Sequence, residues 1–220
     1  MKVILKALVG SHLYGLDTPE SDEDFLGVFV APTSEVLSLS KPKETHVTKN
    51  PDMQLHEVEK FIRLAASANP TVLELLYCPE YIVQEYEGTL LVNNKYSFLS
   101  TNRVRAAFAG YAKQQVDKLV TRNKEGLVGF NPRVKNRYPK HARHCFRLFQ
   151  QGADLLTNGV IDPKVKNPDY LFEVSKMSVA EIVVLFDKAD EEFKKLPSVL
   201  PDKPDWDVLN SILLEIRRLN

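Results

Sequence analysis

The chain opens on KVILKALV and, after a connection punctuated by Gly, Ser and Pro, runs into DFLGVFVAP. Both runs are β-branched and aromatic and of strand length, so the pattern predicts two early strands flanking a loop. A polar stretch rich in Lys, Thr and Pro covers residues 40–51. DMQLH then reads as a third strand ahead of HEVEKFIRLAASA, where Val58, Phe61, Ile62 and Ala65 recur at the spacing of one helical face. Asn69 and Pro70 stop that helix and start the next, PTVLELLY, and YIVQEY reads as a short strand.

From about residue 88 the punctuation changes and long helical patterns dominate: RVRAAFAGYAKQQVDKLV, KHARHCFRLFQQGADLL, SVAEIVVLFDKADEEFKKL and DWDVLNSILLEIRRL. Leu148, Leu155 and Leu156 share a face with Ala142 or Cys145, ordinary core patterning. The segments GLVGFNPRVKNRYP and NGVIDPKVKNPDY, rich in Gly, Pro and Asn, read as connections. The expected organisation is an α/β (α+β) protein, with an α/β part over residues 1–100 and a helical bundle over residues 101–220.

Composition narrows the class. With 44% apolar residues and two cysteines in 220 residues, the chain is neither a disordered tail nor a disulfide scaffold. Cys78 and Cys145 could form at most one disulfide, so a reducing, cytoplasmic setting is the expectation. MKVILKALVG is too short for a membrane span and is broken by Lys6, so no membrane partner is expected. The formal net charge of zero hides a pattern. Residues 1–100 carry 8 Lys/Arg against 14 Asp/Glu, residues 101–150 carry 12 against 2, and residues 151–220 carry 9 against 13. The basic middle is either a solvated helical face or a band that meets phosphates.

Candidate chemistry concentrates in GSHLYGLDTPESDEDFLGV, residues 10–28. Asp22 and Asp24 are two apart at the expected start of a strand, where alternation puts both carboxylates on one face. They repel unless a cation lies between them, and Mg²⁺ suits one or two carboxylates with water and phosphate oxygens. Gly10 and Ser11 follow an apolar strand, and small residues there let backbone N–H groups and a hydroxyl approach a phosphate.

Gly-Ser, a ten-residue spacer and Asp-x-Asp resemble the active-site signature of the DNA polymerase β superfamily of nucleotidyltransferases. Together with NPTVLELLY, KHARHCFRL and the late LPDKPD, the chain resembles the small predicted nucleotidyltransferases of bacteria and T4-like phages, some of which accompany RNA-repair genes. The resemblance implies a mixed sheet with helices packed on one face. It also implies two Mg²⁺ ions, replaceable by Mn²⁺, that hold an NTP while an acceptor hydroxyl attacks the α-phosphorus. Gly10 and Ser11 would then cradle the β- and γ-phosphates, and Asp22 and Asp24 would bind both ions. For the third carboxylate the resemblance favours Asp52, which shares a strand face with Gln54 and His56, over Glu57 at the edge of the following helix. As a plain sequence feature, Asp52 could simply form a turn after Pro51.

Lys140, His144 and Arg147 fall at i, i+4 and i+7 on one helix and match the family pattern K-x-x-x-H-x-x-R. They read either as a triphosphate clamp facing a cleft or as a structural helix with snorkelling cations. A zinc site from His141, His144 and Cys145 is disfavoured, because adjacent helical residues point to different faces. Tyr14 belongs to the loop that shapes the nucleotide pocket or to the core beside it. Asp17 and Ser21 read as turn or cap residues, Asn69 as a helix boundary and Glu74 as a possible buried partner of an Arg. The leading function is transfer of an NMP to an RNA or tRNA end. Protein or small-molecule nucleotidylation and a non-catalytic nucleotide-binding module are the alternatives.

Overall fold

The computed structural model describes residues 1–19, 21–124 and 132–220, with the side chains of residues 124 and 132–137 left aside. Strand β1 (Lys2–Val9) pairs antiparallel with β2 (Asp24–Val30) and with the two-residue β5 (Val83–Gln84). β3 (Thr45–Lys49) and β4 (Asp52–Glu57) pair antiparallel across a two-residue turn, and β4 lies parallel to β2. The result is a five-stranded mixed sheet of order β3-β4-β2-β1-β5. The protein is thus α+β, with the sheet in the N-terminal part and helices dominating the rest of the chain, as the pattern predicts.

β3 falls inside the polar stretch 40–51, where the sequence predicts no strand. THVTK is half-exposed to exposed along its length, so neither face leaves a hydrophobic alternation to read, and its pairing with β4 makes it a strand. The inner strands behave differently. Leu26, Val28 and Val30 are buried on one face of β2, while on the other Phe29 packs with Ala31, Leu55, Val3, Met53 and Val36. The last belongs to the short helix α2 (Thr33–Leu37).

Helix α3 (Val58–Ala66) buries the predicted Val58, Phe61, Ile62 and Ala65. Asn69 accepts a hydrogen bond from the Val72 amide at 3.3 Å and so caps α4 (Pro70–Leu76), with Pro70 in the first turn, where its missing N–H costs nothing. α3 packs on β2 and β4, and α4 on β1 and β2. Helix α5 (Tyr86–Asn93) approaches β1 so closely that a Cβ on Gly88 would lie 2.2 Å from the Ile4 carbonyl oxygen.

The chain divides into two compact units, Met1–Arg103 with Pro201–Asn220, and Val104–Leu200. This differs from a division at residue 100. Counting α6 (Thr101–Lys124), α7 (Pro132–Asn158), α8 (Pro168–Val174) and α9 (Val179–Lys195), the last helix is α10 (Trp206–Arg218). It buries Leu209, Ile212 and Ile216 and packs on α3 and α5, which returns the C-terminus to the sheet-bearing unit.

Ala142, Cys145, Leu148, Leu155 and Leu156 are buried along α7, and Phe149 stacks with Phe186 and Phe193 of α9. The segment read as the connection GLVGFNPRVKNRYP is helical from Pro132, a first-turn position where the missing N–H of proline costs nothing, and Pro139 lies inside α7. Its first residues, up to Asn131, lie outside the described residues. Among the described residues no helix is long and apolar enough to cross a membrane.

Candidate active site

β1 ends at Val9 and the chain turns through Gly10 into the four-residue helix α1 (Ser11–Tyr14). Gly10 holds φ 71°, a backbone state that side-chain-bearing residues rarely adopt. A Cβ there would lie 2.4 Å from Asp24 Oδ2, so the glycine leaves the space that the Asp24 carboxylate fills. Asp24 is the first residue of β2, paired with Val9 on one side and with Asp52, the first residue of β4, on the other. Neighbours in register on parallel strands project from the same face, so Asp24 and Asp52 present two carboxylates side by side at one end of the sheet. Asp24 is half-buried and Asp52 exposed.

Asp22 is exposed and lies ahead of β2, outside the strand, so the period of two that predicted a shared face does not extend to it. Its carboxylate and that of Asp52 make no ion pair or hydrogen bond among the described residues. Nor do three or more His, Cys, Asp or Glu side chains come together as a group that could hold a metal ion among those residues, so Asp22 is not gathered with Asp24 and Asp52 into one three-ligand set.

The α1 turn has no fully buried side chain. Its links are polar: the Tyr14 hydroxyl donates to Glu74 Oε2 at 2.5 Å, and His12 Nδ1 lies 3.6 Å from Asp17 Oδ2. His12 Nε2 is buried with no hydrogen-bond partner. Ser21 Oγ accepts from the Thr18 amide at 2.9 Å, a turn contact. Glu74 is 1% exposed on α4. The one clue to its Tyr14 partnership in the sequence is a carboxylate inside the apolar run VLELL, since sixty residues separate the two.

Glu57, the competing third carboxylate, closes the opposite end of β4. It is buried, its Oε1 lies 2.7 Å from Arg217 Nη1 of α10, and its Oε2 accepts from the Glu59 amide at 2.8 Å as the cap of α3. Arg217 also donates to the Ala31 carbonyl at 3.3 Å. Glu57 is therefore occupied in joining the C-terminal helix to the sheet. The Arg217 partnership had no signal in the sequence, since that side chain reads as a solvated cation at a helix end.

The stripe Lys140, His144 and Arg147 belongs to the second unit. Lys140 is exposed, His144 half-buried and Arg147 2% exposed. Arg147 donates to Gln151 Oε1 at 2.6 Å and to His144 Nδ1 at 3.2 Å, and guanidinium can only donate, so His144 carries its proton on Nε2. Burial first, and then the positive charge of Arg147, pushes the His144 pKa down to about 3, so the ring is neutral at physiological pH. Arg147, Gln150, Gln151 and the loop 162–167 line a cavity of about 300 Å³. His141 bonds Arg122 through Nε2 at 2.6 Å and Gln115 through Nδ1 at 2.8 Å, so both of its ring nitrogens are engaged within the protein. Cys78 and Cys145 are free and buried, and burial pushes both thiols up to about 12, far from the thiolate a nucleophile needs.

An uncharacterized 38.9 kDa protein of the nrdC–mobD intergenic region of Enterobacteria phage T4 is 33% identical over 134 residues, which cover 54% of this chain and 39% of that protein. The chain thus matches about two-fifths of the length of this curated relative. A family model described as RlaP, RNA repair pathway DNA polymerase beta family, matches residues 1–169, from the first strand into α8. With the Gly10–Ser11 turn and the paired carboxylates inside that match, the chain belongs to the RNA repair pathway DNA polymerase beta family, a polymerase-β-like nucleotidyltransferase family.

Proposed function

We propose that the protein is a metal-dependent nucleotidyltransferase that moves an NMP from an NTP to the hydroxyl of an RNA or tRNA end. The observation that carries this reading is the register of Asp24 with Asp52, two carboxylates side by side at the sheet end where Gly10 leaves room for the first. Mg²⁺ takes one or two carboxylates and completes its octahedron with water and phosphate oxygens, so the Asp24–Asp52 carboxylate pair fits it in donor chemistry. Asp22, Asp24 and Asp52 would hold two ions, with Mn²⁺ an acceptable substitute. Bound there, the metal would neutralise the triphosphate and lower the pKa of the acceptor hydroxyl.

The chain's own residues supply position. Gly10 and the Ser11 hydroxyl are assigned to the β- and γ-phosphates, where hydrogen-bond donors fixed in advance cost no reorganisation during reaction. The acceptor oxygen forms a bond to the α-phosphorus as the bond to pyrophosphate breaks, and the acceptor proton leaves to solvent. An RNA acceptor draws support from the family's RNA-repair description and from the basic segment 101–150, whose cations would release counterions on meeting a phosphate backbone.

The test is incubation of the protein with each α-labelled NTP, Mg²⁺ or Mn²⁺ and total cell RNA. Label should enter RNA with the wild type and fall by at least about a thousandfold with Asp24→Asn, or about 4 kcal/mol of transition-state stabilisation. Label in protein instead of RNA would overturn the acceptor. Equal labelling by Asp24→Asn would overturn the site.

A further inference from the structure

We propose that Glu74 is a positioning residue of the nucleotide site, acting through Tyr14 to hold the turn that presents Gly10 and Ser11. This rests on the nucleotide-binding reading above and adds how that site is kept in shape. The α1 turn is short, and Ser11, His12, Leu13 and Tyr14 are all only half-buried, so hydrophobic packing alone does not fix it. Its backbone closes through the Tyr14 amide to the Gly10 carbonyl at 3.2 Å and the Leu16 amide to the Ser11 carbonyl at 3.0 Å. Those bonds set the shape of the turn and the Val9–Asp24 pairing fixes where it starts, which leaves its far end, at Tyr14, to be placed against the sheet.

The Tyr14–Glu74 bond supplies that reference. Glu74 lies in α4, where Pro70, Val72, Leu73, Leu75 and Leu76 are also buried and which packs on β1 and β2. Its carboxylate is therefore fixed to the two strands that end and begin at the site. A phenol-to-carboxylate bond of 2.5 Å is at the short end of the range for O–H···O pairs, and it is tighter than the 3.6 Å approach of His12 to Asp17. On this account Tyr14 serves nucleotide binding by anchoring the turn with its hydroxyl rather than by stacking its ring on a base.

Three variants test it: Tyr14→Phe, which keeps the ring and loses the donor; Glu74→Leu, which loses the acceptor; and Glu74→Gln, which keeps one. Three readouts are taken on each: hydrogen exchange of residues 10–16 without nucleotide, the melting temperature, and titration with an NTP and its monophosphate. Tyr14→Phe and Glu74→Leu are expected to speed exchange of the turn and weaken NTP binding by roughly tenfold, the scale of one hydrogen bond. The monophosphate should bind within about twofold of wild type, Glu74→Gln should restore most of the NTP affinity, and a fourth protein that combines Tyr14→Phe with Glu74→Leu should be no worse than Glu74→Leu alone.

Unchanged exchange in Tyr14→Phe would overturn the strut itself. Faster exchange with unchanged NTP affinity would overturn its role in binding while leaving the nucleotidyltransferase reading in place. A wild type that binds no NTP would remove that reading and this proposal with it, even where the exchange data show the strut. A melting temperature lowered in all three variants, with NTP and monophosphate weakened in parallel, would reduce Glu74 to a structural group and overturn the proposal.

Discussion

Strand β4 carries a carboxylate at each end, and the two ends are built for different purposes. Asp52 begins the strand, exposed and with no side-chain partner among the described residues, in register with Asp24. Glu57 ends it about 16 Å away, at roughly 3.3 Å per residue, buried against Arg217 and capping α3. A buried carboxylate must be matched by a partner at short range, because desolvation otherwise penalises the charge by several kcal/mol. A carboxylate meant for an exchangeable cation has to be left unmatched and near water. The contrast bears on the two candidates for the third acidic ligand: Glu57 is engaged within the protein, and the Asp52 carboxylate makes no ion pair or hydrogen bond among the described residues.

The strongest way to break this comparison is to remove the partner at the matched end. Arg217→Ala leaves Glu57 buried and uncompensated and should lower unfolding stability by about 3–5 kcal/mol in urea titration, with α10 loosened from the sheet. The pair Glu57→Gln with Arg217→Met, which removes both charges and keeps volume, should recover most of that loss. A loss under about 1 kcal/mol in Arg217→Ala would mean that the buried end is not matched in the sense argued, and Glu57 would return as a candidate ligand.

A smaller effect comes from pH, through His56 next to Glu57 on the same strand. Its pKa is lowered, by burial first and then by the Lys60 charge, and its Nδ1 lies 3.1 Å from the Thr45 hydroxyl. The unfolded chain therefore binds the proton more readily than the native one. The stability held by neutral His56 is fully present above the unfolded value near 6.5 and is lost as pH falls through it, by no more than about 1.4 kcal/mol per pH unit. Stability measured from pH 7 to pH 5 should decline less steeply in His56→Gln than in the wild type. Equal slopes would show that burial at this end of the strand does not govern its protonation.

Much of this contrast could not be read from the sequence, and the reason is distance along the chain. β1, β2, α3 and α4 were legible, α3 because one buried face writes its own spacing, and β1, β2 and α4 because apolar runs of the right length bounded by turn residues mark buried elements. β3 was not, since a strand exposed over most of its length writes none. Asp24 and Asp52 were each legible as acidic residues at strand starts, but their neighbouring positions depend on β4 lying parallel beside β2, which no local pattern encodes. Tyr14–Glu74 and Glu57–Arg217 span 60 and 160 residues, and no local pattern joins a loop tyrosine to a carboxylate in a distant apolar run, or a carboxylate at a helix edge to an arginine of the last helix.

The smallest effect is the most discriminating, and it lies at the unmatched end. Asp52→Asn removes a carboxylate that is exposed, makes no ion pair among the described residues and lies in register with another carboxylate, so no favourable native contact is lost and some like-charge repulsion is relieved. Unfolding stability should change by no more than about 0.5 kcal/mol, and towards greater stability if at all. Millimolar Mg²⁺ should raise the melting temperature of the wild type in the presence of an NTP, since a ligand that binds only the native state stabilises it by mass action. The same addition should raise it less in Asp52→Asn. Calorimetry with and without Mg²⁺ on the two proteins decides the matter: a variant destabilised by more than about 1 kcal/mol without metal would make Asp52 a structural group like Glu57, and the two ends of β4 would no longer differ in kind.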